Sequence, residues 1–207
     1  MRQPHRRQAA AERKNPGWAL LGFAAAVTAA AAMSAVGNPR AGETMRWYDR
    51  LDKPRWTPPK PVFPIAWTAL YTMIALSGWR VWKRPDGPDR SRALALWGAQ
   101  LAINAAWTPI FFNAKRPRAA LVDVAALVPA VAAYGLTAAR VDRTAGWMMA
   151  PYLAWTSFAA ALNADIVRRN PDDGRAILAE VRAEESEKDG DAGKPRVREP
   201  EPAAAGK

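Results

Sequence analysis

The sequence predicts an all-α membrane protein: a bundle of five transmembrane helices with a Trp- and Pro-rich first loop as its lid. Three observations lead there. Five apolar stretches of about twenty residues recur along the chain, each long enough as a helix to cross roughly 30 Å of hydrocarbon. Short charged turns separate the last four, and the one at Asn113–Arg118 is too brief to join anything but antiparallel neighbours. The third observation is the stretch from Arg46 to Tyr71, RWYDRLDKPRWTPPKPVFPIAWTALY, with prolines at 54, 58, 59, 61 and 64. A residue before proline is pushed toward extended backbone, so this stretch is not one continuous helix. It reads as a structured cover that feeds into the second span.

Charge supports a membrane partner. The 207 residues carry 30 Lys and Arg against 19 Asp and Glu, a net of +11. Mean hydropathy is only −0.25, but the average hides segregation. From Pro171 onward 10 acidic residues outnumber 7 basic ones, so the positive charge sits between the apolar runs. Basic clusters beside apolar spans suit anionic lipid headgroups. No nucleic-acid recognition pattern accompanies the charge, so nucleic acid is not an expected partner. With no cysteine, disulfides, thiolate metal sites and Cys nucleophiles are excluded, and the single histidine, His5, lies in a basic tail. No metal site is expected.

In chain order, residues 1–17 form a basic, flexible arm. The Ala-rich run Trp18–Gly37 is the first span; a basic segment before an apolar run also fits a signal peptide, and its length and the spans after it favour the helix. Val62–Trp82 is the second, closed by Trp79, Trp82 and snorkelling cations. Ala93–Phe112 is the third, Ala119–Ala139 the fourth and Trp147–Val167 the fifth. Residues 18–170 thus make one membrane domain. Residues 171–207 are charged and poor in apolar content, and are expected to be disordered apart from a turn or two of helix at Ile177–Glu185. Basic residues are almost evenly shared between the two sides, leaning toward a cytoplasmic C-terminus.

Candidate contact residues come from spacing. Of ten tryptophans, Trp18, Trp79, Trp82, Trp97 and Trp147 sit near span ends, as an interfacial belt does. Trp67, Trp107 and Trp155 lie deeper. They either pack the bundle or offer indole faces to a flat apolar ligand. Gln100, Asn104 and Trp107 share one helix face, as do Trp67, Tyr71 and Ile74, and as do Trp155, Phe158, Ala159, Leu162 and Ile166, with Asn163 beside them. Amides in lipid are costly, so these faces should look inward, where they bond neighbouring helices or a ligand. Asp123 and Asp165 read as salt-bridged to Arg118 and Arg168–Arg169 near the interface rather than as a proton relay. No phosphate loop and no nucleophile–base–acid set occurs, and no catalytic residue is assigned.

The patterns W-Y-x-x-L-x-K-P-x-W-x-P-P from Trp47 and Q-L-A-x-N-x-x-W-x-P-I-F-F from Gln100, with PYLAWTSFAAALN on the fifth span, resemble the family of tryptophan-rich sensory proteins and mitochondrial translocator proteins (TspO/MBR, once called peripheral-type benzodiazepine receptors). The likeness covers about Trp18 to Asn170. It implies a five-helix bundle, often dimeric, that binds porphyrins such as protoporphyrin IX and benzodiazepine-type ligands beneath the first loop, with no resident cofactor. By motif, it carries ligand contact onto Leu51, Trp56, Asn104, Trp107, Trp155 and Ala159, and lid shape onto Trp47 and Pro54. Some bacterial members are reported to degrade protoporphyrin in light; Trp56 and Trp155 are the residues such photochemistry would use here. Three departures stand out. Ala119 replaces a tryptophan common among relatives and so removes an expected pocket wall. Ala164-Asp165 replaces the tyrosine of the sterol pattern, so cholesterol binding is not carried over. The charged tail is extra.

The expected function is therefore a multi-pass membrane protein that binds tetrapyrroles as sensor, receptor or transporter. The alternatives are a light-dependent porphyrin-degrading enzyme and a dimerising scaffold built on Ala95, Gly98, Ala99 and Ala102. High Ala and Arg content suggests a bacterial source and the bacterial cell membrane as location.

Overall fold

The computed structural model describes residues 16–35 and 41–192. All regular structure in them is helical: α1 (Pro16–Ala35), α2 (Ala41–Arg50), α3 (Val62–Trp82), α4 (Pro88–Thr108), α5 (Pro117–Val141), α6 (Arg143–Trp147), α7 (Ala150–Arg169) and α8 (Arg175–Ala192). A π-helical turn, Pro109–Asn113, continues α4. The five long apolar stretches of the sequence centre on α1, α3, α4, α5 and α7; the third runs on into the π turn, the fifth starts at Trp147 in α6, and the last two residues of the first lie outside the described residues. By length and apolarity, α3 and α5 are able to cross a membrane. The basic arm lies outside the described residues except for its last two positions.

Helix starts follow local chemistry. Proline occupies the first turn of α4, α5 and α7, where its missing N–H costs nothing. At the end of α4 the next proline has the opposite effect. Pro109 supplies no N–H and its ring crowds the carbonyl four residues back, so the helix widens there; the Ala114 N–H bonds the Pro109 carbonyl, five residues back, at 2.9 Å.

Packing is closest where side chains are small or anchored. α4 lies along α5, and α5 along α7, while α1 covers α3 and α4. Gly78 on α3 lets two rings approach: an added Cβ would lie 2.7 Å from the Trp97 Nε1 and 2.8 Å from Phe23. Those rings meet edge to face at 4.9 Å, and the Trp97 N–H donates to the Ile74 carbonyl at 2.9 Å. Deeper still, Ser77 bonds the Tyr134 hydroxyl at 2.7 Å and donates to the Ala145 carbonyl at 2.8 Å. At the same end the buried Asp142 caps α6, accepting from the Ala145 N–H at 3.0 Å, and receives Arg80 and Arg84 from α3 and the turn after it.

Two expectations are corrected here. The first loop is not loop throughout. Ala41–Arg50 is a helix whose Glu43, Thr44 and Trp47 are buried, and residues 51–61 are irregular. The charged tail is not disordered over Arg175–Ala192, where it forms α8. Its few large apolar residues, Ile177, Leu178 and Val181, are spaced to fall on one face; Ile177 and Leu178 pack against a second core that holds Trp47, Leu51 and Ile166, and Val181 is fully buried. Low overall hydropathy concealed a narrow but sufficient stripe.

Candidate functional site

A cavity of about 580 Å³ opens under α2, between α3, α4, α5 and α7. Its size falls in the range of sites for drug-sized ligands. Aromatic rings hold α3 and α7 apart to make it. Trp67 meets Trp155 at 6.4 Å and Tyr152 at 6.3 Å, and Phe63 meets Trp155 at 6.0 Å. On the opposite wall the widened π turn gathers three rings. Trp107 stacks on Phe111 at 4.9 Å with 20° between planes, and Phe112 stands nearly perpendicular to Trp107 at 6.0 Å. Tyr48 of α2 closes over Phe112 at 5.4 Å. Val124 and Leu127 of α5 complete the apolar lining.

Polar atoms on this apolar surface are few. The Tyr71 hydroxyl donates to the Asn104 Oδ1 at 2.9 Å, joining α3 to α4 at the wall. Asn163 of α7 is 2% exposed and lines the cavity, yet neither its carbonyl oxygen nor its amide nitrogen has a hydrogen-bond partner among the described residues. The Trp107 N–H is unpartnered in the same way. Buried polar groups are nearly always paired, so an amide and an indole N–H left open in one apolar cavity mark where a ligand's polar edge would sit.

Of the residues singled out in the sequence, Asn104, Trp107, Trp155 and Ala159 line this cavity, together with the faces Trp67–Tyr71 and Phe158–Ile166. Leu51 and Trp56 do not. Leu51 is buried in the second core. Trp56 is 46% exposed and meets the site only through the edge of Phe158, at 5.6 Å. Trp47 is fully buried and donates to the Gly174 carbonyl at 3.1 Å, while the buried Pro54 lends its carbonyl to the Thr57 hydroxyl at 2.7 Å. Ala119 is exposed and lies outside the cavity lining. Asp165 pairs with Arg168 at 2.6 Å and Arg169 at 3.2 Å. Asp123 makes no ion pair among the described residues, because Arg118 instead turns to Asp173 at 3.6 Å and to the Pro171 carbonyl.

Tyr48, Phe111 and Phe112 were not singled out as contacts from sequence; Asn163 was placed beside an inward face, but the sequence carried no sign that its amide is left open. Asn163 lies four residues after Ala159 and so on the same face, which is the cue that was available.

The lid's own chemistry explains its Lys-Pro motif. The Lys53 ammonium donates to the carbonyls of Tyr48, Asp49 and Leu51 at 2.6, 2.9 and 3.0 Å. It thereby satisfies the last carbonyls of α2 just where Pro54 forbids further helix. At the other end, burial pushes the Glu43 carboxyl up, but Lys115 and Arg182 outweigh that effect and hold it below its ordinary value.

Helices with apolar spans, a lidded aromatic cavity and basic rims define the class: a helical membrane protein with an internal apolar site. The sequence matches the TspO/MBR family over residues 14–169. It is 42% identical over 157 residues to the tryptophan-rich sensory protein of Cereibacter sphaeroides, covering 75% of this chain and 94% of that one. It is also 37% identical over 147 residues to protein CrtK of Rhodobacter capsulatus, covering 70% of this chain and 89% of the relative. To the human translocator protein it is 39% identical over 131 residues, covering 62% and 78% respectively. The chain belongs to the TspO/MBR family of membrane proteins.

Proposed function

We propose that this chain is a five-span membrane protein that binds a flat tetrapyrrole, protoporphyrin IX or a close relative, in the cavity beneath α2, and acts as a sensor, receptor or transporter. The observation that carries this reading is an aromatic cavity with two unpartnered polar groups, Asn163 and the Trp107 N–H, on its wall. Indole and phenyl faces stack on a macrocycle, and the open amide meets its polar edge. Benzodiazepine-type ligands, flat and largely apolar, fit the same description. Asn104, Trp107, Trp155 and Ala159 are the proposed contacts, while Leu51, Trp47 and Pro54 support the lid and Trp56 stands at its rim.

The five long helices have 20, 20, 21, 21 and 25 residues, about 30 Å or more of rise each, which supports five crossings. The bacterial cell membrane is the proposed location, with the C-terminus in the cytoplasm. A homodimer is proposed as well: Ala95, Gly98, Ala99 and Ala102 are exposed on α4, and nothing lies within 4 Å of a Cβ added at Gly98.

The test is a titration of the detergent-purified chain with protoporphyrin IX, in the dark and then in light, following tryptophan fluorescence and porphyrin absorbance. Saturable quenching is expected, weakened about tenfold or more in midpoint by Trp155→Ala, with the porphyrin spectrum unchanged. Quenching that does not saturate, or that ignores Trp155→Ala, rejects the site. Light-driven bleaching to a distinct product, lost in Trp155→Phe, would favour the degrading enzyme. Trp155 and Trp107 in the cavity wall are the observation behind that second reading, since they place oxidisable indoles against a bound macrocycle.

A further inference from the structure

The family match ends at residue 169, and α8 begins at Arg175. What this added helix touches is the lid. The Gly174 carbonyl, just before α8, accepts the Trp47 N–H at 3.1 Å. Gly174 has φ +70°, and a Cβ there would lie 2.7 Å from the Leu51 Cδ2 and 2.8 Å from the Trp47 Nε1, so glycine is required twice over. Val181 of α8 is fully buried.

Charges then pair across the two helices. Arg50 on α2 places one nitrogen between both Glu184 oxygens, at 2.8 and 2.7 Å, and Arg46 pairs with Glu185. In the opposite sense, the buried Glu43 of α2 is held by Arg182 at 3.4 Å and by Lys115 at 2.9 Å. The Asn170 amide, at the root of the strap, donates to the Asp52 carbonyl at 2.9 Å and accepts the Asp52 N–H at 3.1 Å. On its other side, α2 roofs the cavity through Met45 and Tyr48.

We propose that α8 is a strap that holds the lid helix α2 shut over the cavity, so that traffic in and out requires the strap to release. Its outer fastening is ionic and partly solvated, with Arg50 and Glu184 side chains 38% and 45% exposed. Such pairs are individually weak and are screened by salt, which makes the strap releasable. The buried anchors, the Val181 side chain and the Trp47–Gly174 hydrogen bond, return it to the same place. Access is controlled in this way whatever the cavity binds, so the inference stands apart from the tetrapyrrole reading.

The chain has no cysteine, so Ala159→Cys puts a single thiol on the cavity wall. Its rate of modification by N-ethylmaleimide in the full-length, detergent-purified chain reports access without any ligand. Adding Arg46→Glu and Arg50→Glu should speed labelling about fivefold to tenfold. Adding Glu184→Arg and Glu185→Arg to that chain should bring the rate back to within about twofold of the start. Equal rates in all three chains overturn the strap, and so does a four-fold variant that labels as fast as the Arg pair variant. Where a charge-reversed chain fails to fold, the Ala159→Cys chain alone decides. Raising KCl from 50 to 500 mM should speed its labelling about threefold, and a salt-independent rate overturns the proposal.

Discussion

Asn163→Leu is expected to make the empty protein more stable and the liganded one harder to form. Asn163 is buried at the cavity wall with both amide atoms unpartnered. A buried polar group left without partners costs about 1–3 kcal/mol, and replacing it by an apolar side chain of similar size removes that cost. Unfolding of the ligand-free protein in detergent should shift by about 1–2 kcal/mol toward greater stability. Porphyrin affinity should fall about tenfold to a hundredfold, because the macrocycle's polar edge loses its partner. At saturating porphyrin the order reverses, since the tighter-binding wild type gains more from the ligand. A variant with lower stability and unchanged affinity would show that the amide serves the fold and not the ligand.

Asp142→Ala should be the most damaging single change outside the cavity. The carboxylate caps α6 and receives Arg80 and Arg84, tying three chain segments together at the end opposite the lid. Breaking a buried ion pair costs about 3–5 kcal/mol, and the lower figure applies here because both arginines remain partly hydrated. Burial pushes the Asp142 carboxyl up, but the Ala145 N–H and the two guanidinium groups overcome it and hold it at about 2. The folded protein thus binds this proton less readily than the unfolded chain does. The stabilisation is complete above the ordinary carboxylate range, near pH 4, and is lost as pH falls through about 2. Unfolding midpoints measured from pH 7 down to 2.5 should show this acid limb in the wild type. In Asp142→Ala the limb should flatten; an unchanged limb would assign the acid sensitivity to other carboxylates.

Much of the fold is legible in the residues. Val62–Trp82 was read as a span and is α3 with the same limits, because Pro61 and Lys83 bound a mostly apolar run whose one charge, Arg80, lies in its last turn. The inward faces were also readable, since tryptophan and amide side chains at helical spacing have few other places to go. Three features were hidden, each for its own reason. Helix α2 was masked by the prolines that follow it, although Thr44, Trp47 and Leu51 already spell one buried face. Helix α8 was masked by its charge. Its order comes from a partner, the lid, that lies more than a hundred residues away in sequence. The open amide of Asn163 was beyond reach because hydrogen-bond satisfaction belongs to the packed structure. No pattern of residue types reveals which of two asparagines, Asn104 or Asn163, finds a tyrosine hydroxyl and which does not.

The π turn at Pro109–Asn113 also sets the angular spacing of the rings beside it. A wider turn holds one residue more than an α-helical turn of the same rise. It closes α4, so the change of angle is confined to the stretch between Thr108 and the start of α5 at Pro117. Neighbouring residues of a wider turn are rotated less about the axis, which keeps Phe111 and Phe112 on the side of Trp107. Pro109→Ala, which restores the N–H, should therefore shift the Trp107–Phe111 stack, and an unchanged near-ultraviolet circular dichroism spectrum would show that the turn does not depend on the proline.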